Sequence, residues 1–358
     1  MATVQRYCNT ASSGGDGTTN ATSGGTAAYA SMSSAEANMG GSATDDYILD
    51  CCGTAADTTV VTWDFATNLT TGTLLVQGNR SDAAGFYDGN LVISTSHYRL
   101  DPGNVIKILQ FDEANTTIDG IQVVSGHTST FGVAIQPPTA NVAMTVKKCR
   151  VHATSTCRTG IGYPGFSANS NATSTIENNL IVNFNTNGIE LSSNNFFTPT
   201  YNIYHNTIYG DGSAVGISAA SLGGSSAAVF NIKGNALANS GGSNDIVVSL
   251  TGTSAVNYAD NATEDFDLGT TDEIDLGTTT DAWTSPGTTA ASDFTVKNTS
   301  SSLYNAVNPT LVSTDITDYT RDGTNHDVGA FELVVAVANP KNVIYGIALD
   351  GPMRRVVL

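Results

Sequence analysis

Basic residues are scarce in this chain: 14 Lys and Arg stand against 32 Asp and Glu, a formal net charge of −18. A surface of that sign repels phosphate backbones, and no basic stripe with interleaved aromatics offsets it, so direct nucleic-acid binding is excluded. Long apolar runs are missing too, since no stretch approaches the ~20 residues of a membrane span. The opening MATVQRYCNTASSGGDGTTNATSGG has no apolar core of signal-peptide length, which predicts a protein that stays off the general secretory route. Cysteines are few, odd in number and without paired CxxC spacing: Cys8, Cys51, Cys52, Cys149 and Cys157. They predict neither a disulfide framework nor a zinc site and read as reduced, buried small hydrophobes. The histidines, His97, His127, His152, His205 and His326, show no metal-ligand spacing, so no metal or cofactor is expected.

What the chain does have is a repeat. An aliphatic residue, two variable positions, Asn or a substitute, one variable position and another aliphatic recur as IDGIQV, VKKCRV, IENNLI, IYHNTI and IKGNAL. These begin at Ile118, Val146, Ile176, Ile203 and Ile232, about 27 to 30 residues apart, a period that marks a repeat architecture. About ten residues after each corner comes a second match: Gly132-Val133, Gly160-Ile161, Gly188-Ile189, Gly216-Ile217 and Asp245-Ile246. Each period therefore holds at least two strand-like pieces joined by a turn. Gly, Ser, Asn and Thr fill the intervals where a helical repeat would show amphipathic runs. The expected fold is all-β, a right-handed parallel β-helix, with coils stacked about 4.8 Å apart and aliphatics in columns. Gly at 36 residues and hydrophobics at 40% suit such a turn-dense solenoid, which one elongated body can extend to this length.

The corner column reads Ile121, Cys149, Asn179, Asn206, Asn235. Asn tolerates the left-handed backbone of a tight corner, and its amide can bond the Asn above and below. This predicts a structural ladder, because turn amides usually satisfy nearby backbone groups.

Three regions are expected: an N-terminal arm and cap over residues 1–43, the β-helix over 44–333, and a docking tail over 334–358. The cap carries one helix-competent segment, AAYASMSSAEANM, suited to shielding the unpaired backbone of a first coil. Strand-like runs begin at Tyr47 with YILDC. Asp265, Asp267, Asp272, Glu273 and Asp275 could hold Ca²⁺, but their spacing is not that of an EF-hand, and a solvated acidic turn is the expectation. The apolar tail VVAVANPKNVIYGIALDGPMRRVVL, with Arg354 and Arg355, reads equally as a surface for a partner subunit and as a strand folded back on the solenoid.

Residues 293–332, with Ser302, Asp315, Arg321, Asp322, Asp327, Val328, Gly329, Ala330, Phe331 and Glu332, resemble the closing coil of right-handed parallel β-helix proteins of the choice-of-anchor type. GGTAAYASMSSAEAN, DCCGTAADTT, HYRL and NTTIDGIQV are similar to segments of β-helix proteins of tailed phages and environmental viral genomes. That resemblance implies a structural or host-contacting virion component assembled in the host cytoplasm.

Enzymatic alternatives rest on carboxylates. Glycoside hydrolases need two of them roughly 5 to 9.5 Å apart, and lyases need Arg or Lys beside carboxylates that bind Ca²⁺. Asp119 and Glu177 share a column, but Lys147 lies between them and Tyr204 and Lys233 beyond, an order that predicts an alternating charge ladder. No catalytic residue is assigned. The expected function is a non-enzymatic phage fibre, spike or capsid-attached appendage with host-surface glycan contact. Its partners would be other virion proteins and copies of itself, a trimer first. The alternatives are a tailspike-like depolymerase and a cell-surface adhesin.

Overall fold

The computed structural model describes residues 2–78, 97–128, 132–137, 143–154, 157–162, 171–194, 196–210, 215–238, 245–264, 273–276, 279–284, 294, 296–304, 306, 311–317, 320–321 and 326–333. Nearly all regular structure is parallel β-sheet, arranged as a β-solenoid with three walls. Among the described residues two walls have nine strands and the third has seven, so seven coils contribute one strand to each sheet. A typical coil runs from Met144–Lys147 in the first sheet to Arg150–Ala153 in the second and Thr159–Gly162 in the third.

Register explains the aliphatic columns. Val76, Ile118, Val146, Ile176, Ile203 and Ile232 pair strand to strand along the first sheet. Leu109, Ile135, Ile161, Ile189, Ile217 and Ile246 do the same in the third. Both columns are buried in one core, and each such side chain contributes about 1.5–3 kcal/mol. β-Branched residues suit these positions because they pack on a pleated surface with little loss of rotamer freedom.

The glycines of the second sequence column are required by close approach. A Cβ on Gly160 would sit 2.6 Å from the Gly188 carbonyl oxygen, and one on Gly188 would sit 2.8 Å from that of Gly216. Backbones of successive coils touch there, and no other residue fits.

At the corner between the first and second sheets the structure corrects the expected backbone. The left-handed residue is the one before the ladder position: Gly120, Lys148, Asn178, His205, Gly234 and Asp260, with φ between 51° and 71°. The asparagines themselves follow that turn and point inward, where their amides are consumed by hydrogen bonds.

The N-terminal region departs from the sequence reading in one respect. Thr3–Asn9 is already a strand, paired in register with Asp46–Cys52 as the edge of the first sheet. Its polar composition hid it, since only alternate residues face the core. The helix falls within the expected segment, at Met32–Met39. Ser31 caps it by accepting from the Ser34 N–H at 3.1 Å, and its buried face of Met32, Ala35 and Met39 closes the first coil. Asp57 accepts from the Met32 N–H at 2.7 Å and from the Tyr98 hydroxyl at 2.6 Å, so a buried carboxylate ties the helix start to the solenoid.

Candidate functional site

The outer face of the first sheet carries a polar column along six consecutive strands. On one column Leu75, Thr117, Thr145, Thr175, Asn202, Asn231 and Asn257 lie on successive strands. The asparagines form a ladder: Asn231 Nδ2 donates to Asn202 Oδ1 at 2.9 Å, and Asn257 Nδ2 to Asn231 Oδ1 at 2.8 Å. A three-residue threonine run precedes it. The sequence carried a signal for this column, because Asn202, Asn231 and Asn257 each stand four residues before an inner-ladder Asn.

Beside it runs the column holding Asp119 and Glu177. Register places Asp119, Lys147, Glu177, Tyr204 and Lys233 on consecutive strands, in the order expected. Lys147 Nζ lies 3.6 Å from Asp119 Oδ2. Burial raises the Glu177 carboxyl above its usual range, and the Lys147 and Lys148 charges pull it back down. Burial, with Glu177 as a second cause, also raises the Tyr204 phenol. Two strand spacings, about 9–10 Å, separate the carboxylate strands, and the cation stands between them. That arrangement sets opposite charges on adjacent strands, where they stabilise one another.

The third wall holds another satisfied carboxylate. Glu190 accepts from Arg158 Nη2 at 2.7 Å and Nε at 3.2 Å, from Thr159 Oγ1 at 2.8 Å and from Asn187 Nδ2 at 2.9 Å. Four donor atoms from three side chains hold it in place.

Inside the corner, the predicted ladder is present and longer than the sequence pattern. Asn179, Asn206 and Asn235 stack, and Asn261 continues them. The Oδ1 atoms of Asn206, Asn235 and Asn261 each accept both the backbone N–H and the side-chain N–H of the preceding Asn, at 2.9–3.1 Å, and that of Asn179 accepts from the Cys149 N–H at 2.9 Å. The second amide proton goes to a carbonyl of the previous coil: Val146, Ile176, Ile203 and Ile232. Cys149 occupies the position ahead of Asn179, and its thiol lies 3.3 Å from the Lys147 carbonyl and 3.9 Å from that of Ile118. Asn261 escaped the sequence pattern because Tyr258 and Thr263 replace the flanking aliphatics.

The segment expected as a closing coil adds no strand to the three sheets among the described residues. It lies against the outside of the second sheet. That face is polar at Gln122 and Arg150 and turns apolar or small at Leu180, Ala236 and Ala262 on the same column. Trp283, Phe294, Leu303, Ile316, Val328 and Phe331 pack there as a second hydrophobic cluster. The motif residues assemble into one buried lock. Arg321 Nη1 meets Glu332 Oε2 at 3.1 Å, and Nη2 reaches Asn178 Oδ1 at 2.9 Å and the Gly329 carbonyl at 2.7 Å. Asp315 Oδ1 accepts from the Thr317 N–H and hydroxyl, both at 2.8 Å. The Ala330 N–H donates to Thr207 Oγ1 at 2.9 Å, and the Gly329 N–H to the Gly234 carbonyl at 2.7 Å. A Cβ at Gly329, whose φ is 89°, would collide with Thr207 Oγ1 at 2.6 Å, so glycine is required. His205 is sealed beneath this segment. Burial, then the Arg321 and His326 charges, hold its imidazole well below its ordinary pKa.

Asp265, Asp267, Asp272, Asp322 and the tail 334–358 lie outside the described residues. Glu273 accepts the Thr263 hydroxyl, and Asp275 is exposed on the same short strand. Among the described residues no cluster of three His, Cys, Asp or Glu side chains could hold a metal, and no helix is long and apolar enough to cross a membrane. All five cysteines are buried and none is in a disulfide. Comparison of the chain with protein-family models, curated proteins and solved structures returned no match.

Proposed function

We propose that the chain is a non-enzymatic structural component of a phage particle, a fibre, spike or capsid-attached appendage, whose outer first sheet contacts host-surface glycans. The observation that carries this reading is the polar column Thr117, Thr145, Thr175, Asn202, Asn231, Asn257, which repeats hydroxyl and amide groups on six consecutive strands of one face. An Asn that spends one N–H on its neighbour keeps another N–H and oxygen lone pairs outward, and sugar hydroxyls accept and donate to both. Single contacts of that kind are weak. Several copies in a homo-oligomer, a trimer first, raise the effective affinity without any new contact. The inner ladder and the lateral lock support a mechanical role, since both tie consecutive coils by buried hydrogen bonds.

The test has two arms. Mass spectrometry of purified particles from the producing culture is expected to find the chain at stoichiometric amount. Light scattering is expected to give a homo-oligomer that binds capsular or envelope polysaccharide without releasing oligosaccharide. Release of reducing ends or unsaturated uronate, abolished by Asp119→Ala or Glu177→Ala in a folded protein, would install the depolymerase reading instead.

A further inference from the structure

Cys8 and Cys51 occupy partner positions on adjacent parallel strands, Thr3–Asn9 and Asp46–Cys52. Both side chains are 0% exposed and belong to the main core. Registered partners in neighbouring parallel strands lie about 4.8 Å apart, within the roughly 4.4–6.8 Å that a disulfide spans between Cα atoms. The register sets the Cys51 side chain beside that of Cys8 across the strand pair. Cys52, one residue on, has the opposite side-chain direction, pairs in register with Asn9, and turns its thiol toward the Asp50 carbonyl at 3.9 Å. The strand geometry therefore selects Cys51 over Cys52 as the partner of Cys8.

We propose that Cys8 and Cys51 form a dormant disulfide site, closed by a small-molecule disulfide, that staples the N-terminal edge strand to the first full coil. One thiol loses its proton and attacks the small disulfide, giving a mixed disulfide and one released small thiol. The second thiolate then attacks the protein sulfur, forming the Cys8–Cys51 bond and expelling the other small thiol. Two protein thiols are oxidised, one small disulfide is reduced, and two protons balance the two released thiolates.

The location gives the bond a purpose. Thr3–Asn9 is the outermost strand of the first sheet, and beyond it lie the Tyr7 N–H to Gly17 and Asn9 N–H to Tyr29 backbone bonds. An end strand opens more readily than an interior one, so a covalent tie acts where fraying begins. The site is also guarded. Burial, then Cys8, Cys52 and Asp57, raise the Cys51 thiol well above its ordinary value, and burial raises the neighbouring Tyr98 phenol in the same way. The nucleophilic thiolate is therefore scarce until the end coil opens, and oxidation is slow in the closed protein.

The full-length chain is incubated with cystamine, then digested without reduction and mapped. The expected result is a Cys8–Cys51 linked peptide and two fewer titratable thiols in the unfolded protein. The thermal midpoint should rise by several degrees and return with dithiothreitol. Cys8→Ser and Cys51→Ser each abolish the rise, whereas Cys52→Ser keeps it; Cys8→Ala and Cys51→Ala repeat the comparison if a serine variant misfolds. A Cys51–Cys52 or Cys8–Cys52 pair, a stable mixed disulfide at Cys8 that never resolves, or five persisting thiols under conditions where Thr3–Asn9 amides exchange would each overturn the proposal.

Discussion

The molecule carries two asparagine ladders four residues apart in sequence, one on the strands of the first sheet and one at the corner that follows them, and they do different physical work. Inside the corner, Asn206 is completely buried. Its oxygen serves Asn179 twice, and its nitrogen serves Ile176 and Asn235. Outside, Asn231 is half-buried, donates once to Asn202 and accepts once from Asn257. Residue type and period are identical. What differs is the cost of leaving the bonds unmade, because water replaces a partner outside and nothing replaces one inside.

The largest effect that would sharpen this contrast is Asn206→Ala. It strands the Asn179 N–H and the Ile176 carbonyl in a dry corner, and about 3 kcal/mol or more of stability should disappear, read as a drop in urea midpoint. A loss no greater than that of Asn231→Ala would break the comparison.

Next comes acid. His205, beside the inner ladder, is held neutral in the folded state by burial, Arg321 and His326, and Asp327 and Gly329 offer carbonyls on the facing segment. Its folded pKa lies below the unfolded value near 6.5, so the unfolded chain binds more protons in that window. Stability is therefore complete above about pH 6.5 and falls as pH drops toward the depressed folded value. His152, lowered by burial alone, adds in the same direction. Burial raises Glu113 and Glu177, and they act oppositely, in the carboxylate range. His205→Asn keeps the left-handed backbone and should flatten most of the slope in denaturant midpoint between pH 7 and 5.

A smaller effect belongs to the outer charge column. Lys147→Met removes the cation between Asp119 and Glu177 and should cost about 1 kcal/mol or less, less still in high salt. Thermal melts at two salt concentrations measure it. Smallest of all is Asn231→Ala, at about 0.5 kcal/mol or less, since solvent takes over its bonds. Its expected consequence is functional instead: weaker glycan retention with the fold unchanged, checked by affinity electrophoresis beside circular dichroism.

The corner asparagines and the aliphatic columns were legible because one side chain per coil must do the same job, which imprints a period. Asn261 was not, because Tyr258 and Thr263 can take the flanking positions at the open end, where Tyr258 is only half-buried. Thr3–Asn9 was invisible because an edge strand needs one buried face only. The left-handed position resisted reading for another reason: Lys148 and His205 occupy it as well as glycine and asparagine, at a local cost of about 1–2 kcal/mol each that the adjoining ladder offsets. Where residues 294–333 settle could not be read from the repeat at all, because their partners are an outer face that the period does not describe. Their own residues, Arg321, Gly329 and Glu332, stand in the sequence stretch whose resemblance suggested a further coil, and the described residues form a lateral strap instead.

That strap makes the solenoid's length countable. It touches Asn178, Thr207 and Gly234 on three successive coils, so it works as a gauge cut to a fixed number of turns. Duplicating a coil upstream of Asn178 would lengthen the rod and leave every gauge mark in place. Duplicating one between Asn178 and Gly234 would move the marks apart by about 4.8 Å, and Arg321 could no longer reach Asn178 while Gly329 holds Gly234. Growth by coil duplication is thus permitted at one end of the chain and forbidden beneath the strap.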